Sequence, residues 1–187
     1  FCNLPLVTRD TASFKYQAMI LLQDLIRFHL GDSGQEALVD IDLKRLHFVY
    51  ENLTLSTKTD LYLEALQELE KKTLASPVST RVTCRMAELW REKGGLYDAL
   101  QSDDHKWDLQ KADDLCDAAI QRFPDSDGAA QAYNLKQDLR QKSLSVAIEK
   151  INIPGLPFRA LVSYRNFTGL HWRMIPVTRE EVNAERK

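Results

Sequence analysis

The apolar residues of this chain change rhythm once. Up to about residue 142 they recur every three or four positions, the spacing of a helix with one buried stripe. From Ser143 they alternate one by one, the spacing of a strand. A single switch of this kind divides the chain into a helical part, 1–142, and a β part, 143–187. It predicts a mainly α fold, antiparallel helical hairpins followed by a short C-terminal β segment of two or three strands.

Five or six helices are expected. Phe14, Ala18, Leu21, Leu22, Leu25 and Phe28 mark the first, with Ser13 or Thr11 as its cap and Gly31 closing it in a left-handed turn. The second runs over 34–52 on Val39, Leu43, Leu46 and Tyr50; Leu38, Ile41 and Val49 widen the stripe, so cover on two sides is expected. Tyr62, Ala65, Leu66 and Leu69 mark a third, from Thr59 or Asp60 to about Thr73, broken by "ASPVS" because the residue before a proline avoids helical geometry. A fourth, 79–93, carries Val82, Met86, Leu89 and Trp90 and stops at Gly94-Gly95. A fifth, 107–122, carries Leu109, Ala112, Cys116, Ala119, Ile120 and Phe123 and stops at Pro124, and a sixth, 127–142, carries Ala132, Leu135 and Leu139. Short connections between helices of this length favour hairpins.

In the β part, Phe158, Ala160, Val162 and Tyr164 alternate with Arg159, Ser163 and Arg165. After "NFTG", Leu170, Trp172 and Met174 alternate with His171 and Arg173, which predicts a hairpin turning at 166–169. "SLSVAIEKIN" supplies a further strand, with Leu144, Val146 and Ile148 on one face. A lone hairpin is marginal in water. These strands are therefore expected to pair with something beyond the chain or to lie against helices, with Tyr164 and Trp172 packed.

Charge and motifs narrow the function. The 187 residues suffice for a core, and a net charge of -2 without any basic run argues against a nucleic-acid partner. The longest apolar run, Ala18–Leu22, falls far short of the roughly 18 residues of a membrane helix, so no transmembrane segment is expected, and "FCNLPLVTRD" lacks the pattern of a signal peptide. Among three cysteines, Cys84 and Cys116 fall in helical patterns as small hydrophobes, and neither they nor Cys2 form a CxxC. Asp103, Asp104, His105 and Asp108 in "SDDHKWD" could gather round a cation, but a solvated insertion is the plainer reading of that spacing. His29, His47 and His171 stand alone, and no GxSxG, HExxH or phosphate-binding glycine loop occurs. Asn52-Leu53-Thr54 and Asn166-Phe167-Thr168 fit the glycosylation pattern, which is common by chance. "QELEKK" reads as a solvated helix face with pairs such as Glu68–Lys72. No catalytic, cofactor-binding or metal-binding residue is assigned.

Ala112-x3-Cys116-x2-Ala119-x4-Pro124 has the spacing of the second helix of a tetratricopeptide repeat, whose small residues admit a partner helix. A plain helical hairpin fits it equally. Taken together, "ALVDIDLKRLHFVYEN", "TDLYLEALQELEKK", "LHWRMI" and above all the handover "RFPDSDGA…SLSV…PGLPFRALVSYRN" resemble the N-terminal region of very large alpha-2-macroglobulin-like proteins of Bacteroidetes. The likeness runs from about residue 14 to 176. It implies a tetratricopeptide-like region leading into the first macroglobulin domain, a fibronectin-like β-sandwich of which this chain holds the first strands. It further implies a non-enzymatic scaffold or interaction segment without a cofactor, in the periplasm, at the outer membrane or outside the cell. Its partners would be neighbouring domains of the same polypeptide and, through the full-length protein, trapped or inhibited proteases. The thioester motif CxEQ of some members is absent from this sequence, so no functional residue of the family carries over. Without the resemblance, the helices fit a free-standing tetratricopeptide-like adaptor that binds a partner protein or peptide in a groove.

Overall fold

A computed structural model describes residues 1–98, 100–149, 151, 153, 156–173 and 175. Six helices run in order: α1 (Phe14–His29), α2 (Glu36–Asn52), α3 (Lys58–Thr73), α4 (Ser79–Gly94), α5 (Asp108–Arg122) and α6 (Asp127–Arg140). Two strands follow, β1 (Ser143–Ile148) and β2 (Ala160–Arg165), so the fold is mainly α with a short β segment. The chain divides into two compact units, Phe1–Leu139 and Arg140–Lys187.

In the helical unit, neighbouring helices pack as hairpins around α4, which buries two faces. Val82, Met86 and Leu89 join Val39, Leu43 and Leu46 of α2 and Tyr62 and Leu66 of α3 in one cluster. Cys84 and Ala87 join Ala112, Cys116 and Ala119 of α5 and Ala132, Leu135 and Leu139 of α6 in a second. Each large side chain fully covered in this way contributes roughly 1.5–3 kcal/mol. The second cluster is built largely of alanine and cysteine, so the helices around it approach closely. Two glycines make the approach possible: a Cβ on Gly94 would come within 2.7 Å of the Leu109 side chain, and one on Gly128 within 2.3 Å of the Arg81 backbone nitrogen. Polar ties cross the same seams. Arg81 binds Asp127 at 2.6 Å and approaches Asp40 at 3.7 Å, while the Thr80 and Ser126 hydroxyls lie 2.8 Å apart.

At α1 the expected face is covered only in part, with Ala18, Leu22 and Leu25 half-buried. Gln23 and Ile26 are buried, whereas Phe14, Leu21 and Phe28 are exposed. Apolar residues occupy most sides of this helix, so their period alone does not select a face. Ser13 makes no side-chain capping bond, and Leu30 continues in right-handed helical geometry with its N–H on the Ile26 carbonyl. Asp32 N–H then takes the His29 carbonyl, so the chain leaves the helix without a left-handed Gly31. Glu68 pairs with Lys71 at 2.9 Å rather than with Lys72.

In the second unit β1 pairs with β2, antiparallel, in the register Ser143↔Arg165 to Ile148↔Ala160. The expected hairpin through 166–169 does not form: Asn166 takes a left-handed conformation (φ 58°) and 170–173 are not a strand, while Met174 lies outside the described residues. Asn166 Nδ2 donates to the Gln141 carbonyl instead, at 2.9 Å, pinning the end of β2 beside the start of β1. The register puts Leu144, Val146 and Ile148 on the same face as Tyr164, Val162 and Ala160. That face is bare: Leu144 is 51% exposed, Ile148 55% and Tyr164 61%. Trp172, also expected to be packed, is likewise 61% exposed.

Candidate functional site

A hollow of the helical unit lies between α1, α2 and α3, with Phe1 and Cys2 among the residues that line it. Gln23, 3% exposed, interrupts the apolar inner side of α1. A buried amide without partners would be costly. Gln23 Nε2 meets that demand by donating to two main-chain carbonyls of the N-terminal segment, Phe1 at 2.9 Å and Leu4 at 2.8 Å. One turn on, Arg27 donates to the Cys2 carbonyl while its other arm holds Asp24 at 2.8 Å. Arg45 of α2, fixed by Asp42 at 2.6 Å, lies 4.9 Å from the centre of the Phe1 ring, a cation–π distance. Farther along, Leu6, Val7 and Thr8 border a second hollow beside Tyr16, Met19, Phe48 and Asn52.

Beneath Phe1 and Cys2 a cavity of about 530 Å³ stays open. Ile26, Leu30, Leu38, Val39, Leu46 and Leu69 give it apolar walls, and Asp42, Arg45, Glu68 and Lys72 set charges of both signs around it. Sequence reasoning missed this site. The available signal was a glutamine at an inward-facing helical position, which the helical stripe treats as a gap.

The residues that sequence had singled out lie elsewhere and are only partly brought together. His105, in a left-handed conformation (φ 64°), places Nδ1 2.8 Å from Asp108, and Lys111 reaches the other Asp108 oxygen at 2.9 Å. Burial pushes the Asp108 carboxyl up, but the hydrogen bonds and charges of Lys111 and His105 outweigh it and hold the group below its ordinary value. Asp103 binds Lys106 at 3.0 Å instead, and Asp104 N–H donates to Ser102. The loop is thus internally paired, and no group of metal-binding side chains occurs among the described residues.

His29 lies 2.6 Å from Asp32, just past the end of α1, and His47 3.3 Å from Glu51 within α2, and His171 is exposed. Cys84 and Cys116 are buried free thiols whose pKa values burial pushes up, to about 12 and about 11, which keeps them protonated. Cys2 is half-buried at the hollow. Neither sequon asparagine is idle: Asn52 donates to the Phe48 carbonyl at 2.8 Å, and Asn166 to Gln141. No helix among the described residues is long and apolar enough to cross a membrane.

A polar knot between α3, α4 and α5 also went unforeseen. Arg122 Nη1 donates to Glu70 at 2.9 Å and to Thr83 at 3.1 Å, and the Thr83 hydroxyl donates to Glu70 in turn. Arg122 and Glu70 are 52 positions apart, beyond the reach of local pattern. The carboxylate is engaged by two donors, so the knot clasps the three helices together. Comparison with protein-family models, with curated proteins and with solved structures found no match to this chain.

Proposed function

We propose that this chain is a non-catalytic scaffold segment of a large alpha-2-macroglobulin-like envelope protein, its ribbon being the first part of a β-sandwich that other domains of the same polypeptide complete. The observation that supports the reading is the bare ribbon. Its six paired positions per strand place Leu144, Val146, Ile148, Val162 and Tyr164 on one face, with no third strand among the described residues. Two strands alone are marginal; a third strand or a second layer over that face is what stabilises such a unit. Protease trapping or inhibition, at the outer membrane, in the periplasm or outside the cell, then belongs to the full-length protein, with the helical unit as a spacer at its start.

The test uses a longer polypeptide encoded by the same gene beside the 187-residue chain. Amide exchange over 143–148 and 160–165 is expected to slow at least about a hundredfold when the downstream residues are present, because opening those hydrogen bonds then requires unfolding a completed sheet. Equal exchange in the two forms overturns the reading.

A further inference from the structure

We propose that the outer face of α1 is an interface between two copies of this chain, the two α1 helices crossing antiparallel about a two-fold axis at Leu21. Phe14, Leu21 and Phe28 follow at intervals of seven, so they lie in one row along the helix. Phe14 is 88% exposed, Leu21 59% and Phe28 75%. The inner side of the helix is already taken: Gln23 and Ile26 are buried there, and Gln23 holds the carbonyls of Phe1 and Leu4. The row points the other way, and none of the described residues covers it.

The order of the row says what fits it. A two-fold interface joins a patch to itself, so the patch must read alike in both directions. Phe–Leu–Phe does so. Reversed about Leu21, Phe14 of each copy meets Phe28 of the other, and the two Leu21 side chains meet on the axis. The flanks select the antiparallel crossing. Gln17 and Asp24 lie along one side of the row, Ala18 and Leu25 along the other. An antiparallel crossing sets like flanks together, so the Gln17 amide of each copy donates to the Asp24 carboxylate of the other. Arg27 engages Oδ1 of Asp24 at 2.8 Å, and Oδ2 takes that amide. A parallel crossing sets the same polar side chains against Ala18 and Leu25, where nothing pairs with them. The three apolar side chains withdraw on the order of 800 Å² over the two copies. Flanking atoms bring the contact to about the 1,000 Å² at which a specific, weak interface begins. This inference rests neither on the β ribbon nor on the scaffold reading.

Sedimentation equilibrium of the full chain is expected to show a monomer–dimer equilibrium with a Kd on the order of 10–100 µM. Leu21→Asp brings two carboxylates together on the axis and is expected to weaken the dimer at least about tenfold. Because position 21 is exposed, the melting temperature of the dilute chain is expected to move by less than about 2 °C. Cross-linking with a short bis-maleimide, on a Cys2→Ser background, reads the direction of the crossing and keeps the proposal testable if Leu21→Asp does not fold. Leu21→Cys chains are expected to link to one another. Phe14→Cys chains are expected to link to Phe28→Cys chains but not among themselves, because position 14 of one copy stands about 21 Å from position 14 of the other. A chain that stays monomeric to about 500 µM, as when a different polypeptide covers the row, overturns the proposal. A dimer indifferent to Leu21→Asp, or Phe14→Cys chains that link among themselves, also overturns it.

Discussion

Tyr62 carries opposing contributions on one side chain. Its ring stacks on Tyr50 at 4.5 Å and belongs to the core cluster of α2, α3 and α4, yet its hydroxyl is buried with no hydrogen-bond partner among the described residues. The ring stabilises; the unpaired hydroxyl costs. Tyr62→Phe keeps the first and removes the second, so urea unfolding is expected to show a gain of about 1 kcal/mol. Burial, foremost, pushes the Tyr62 pKa from 10.0 up to about 12. Between those values the unfolded chain loses the proton and the folded one keeps it, so this residue's contribution falls as pH rises through that window. The Tyr62→Phe variant has no hydroxyl to titrate, and its advantage over wild type is expected to widen between pH 10.0 and about 12. Hydrophobic spacing put Tyr62 in the core correctly. The same spacing said nothing of Gln23, Glu70 or Arg122, because a buried polar side chain is specified by partners distant in sequence and leaves no period of its own.

Among the elements, α4 bears the tightest constraints. It is buried on both sides, and Gly128 at the start of α6 lies against its first turn, where an added Cβ would meet backbone atoms at 2.3–2.4 Å. Backbone cannot swing aside as a flexible side chain can, so Gly128→Ala is expected to destabilise by about 1–3 kcal/mol in urea titrations. Gly31 offers the contrast: nothing lies within 4 Å and its backbone is not left-handed. Gly31→Ala is expected to raise stability by about 0.4–1 kcal/mol through the unfolded chain. Helix limits were legible to within a residue or two because Pro77 and Pro124 break the chain where the helical spacing also ends. Strand pairing was not. Alternation marks Ala160–Arg165 and Leu170–Trp172 equally well, but it does not say which neighbour a strand takes, and β2 takes β1 across the 149–159 connection rather than the segment just after it.

For the molecule as a whole, two units of unequal strength imply unequal tolerance. The helical unit owns both buried clusters, whereas the second unit has a ribbon whose paired apolar residues are exposed or half-exposed. Leu66→Ala, at a fully buried position, is expected to lower the melting temperature by about 6–15 °C. Val146→Asp is expected to shift the melting temperature of the isolated chain by less than about 2 °C. Differential scanning calorimetry on both variants checks this, and equal drops would mean that the ribbon's apolar face is covered in the chain alone. The overall class, helices first and strands last, was readable because a change of period needs only local sequence. The bareness of the ribbon was not, since the sequence names apolar residues without saying whether anything lies on them.

In the connection between α4 and α5, Leu96, Leu100 and Trp107 are exposed, and the packing that joins the two helices lies elsewhere. That task falls to the alanine–cysteine seam and to the Arg122–Glu70 clasp. Hydrolysis of a peptide bond in this stretch would leave a nicked molecule whose two fragments stay assembled as a complex. The helical unit is therefore separable on paper into α1–α4 and α5–α6, and size-exclusion chromatography of the nicked chain is expected to show the two fragments eluting together.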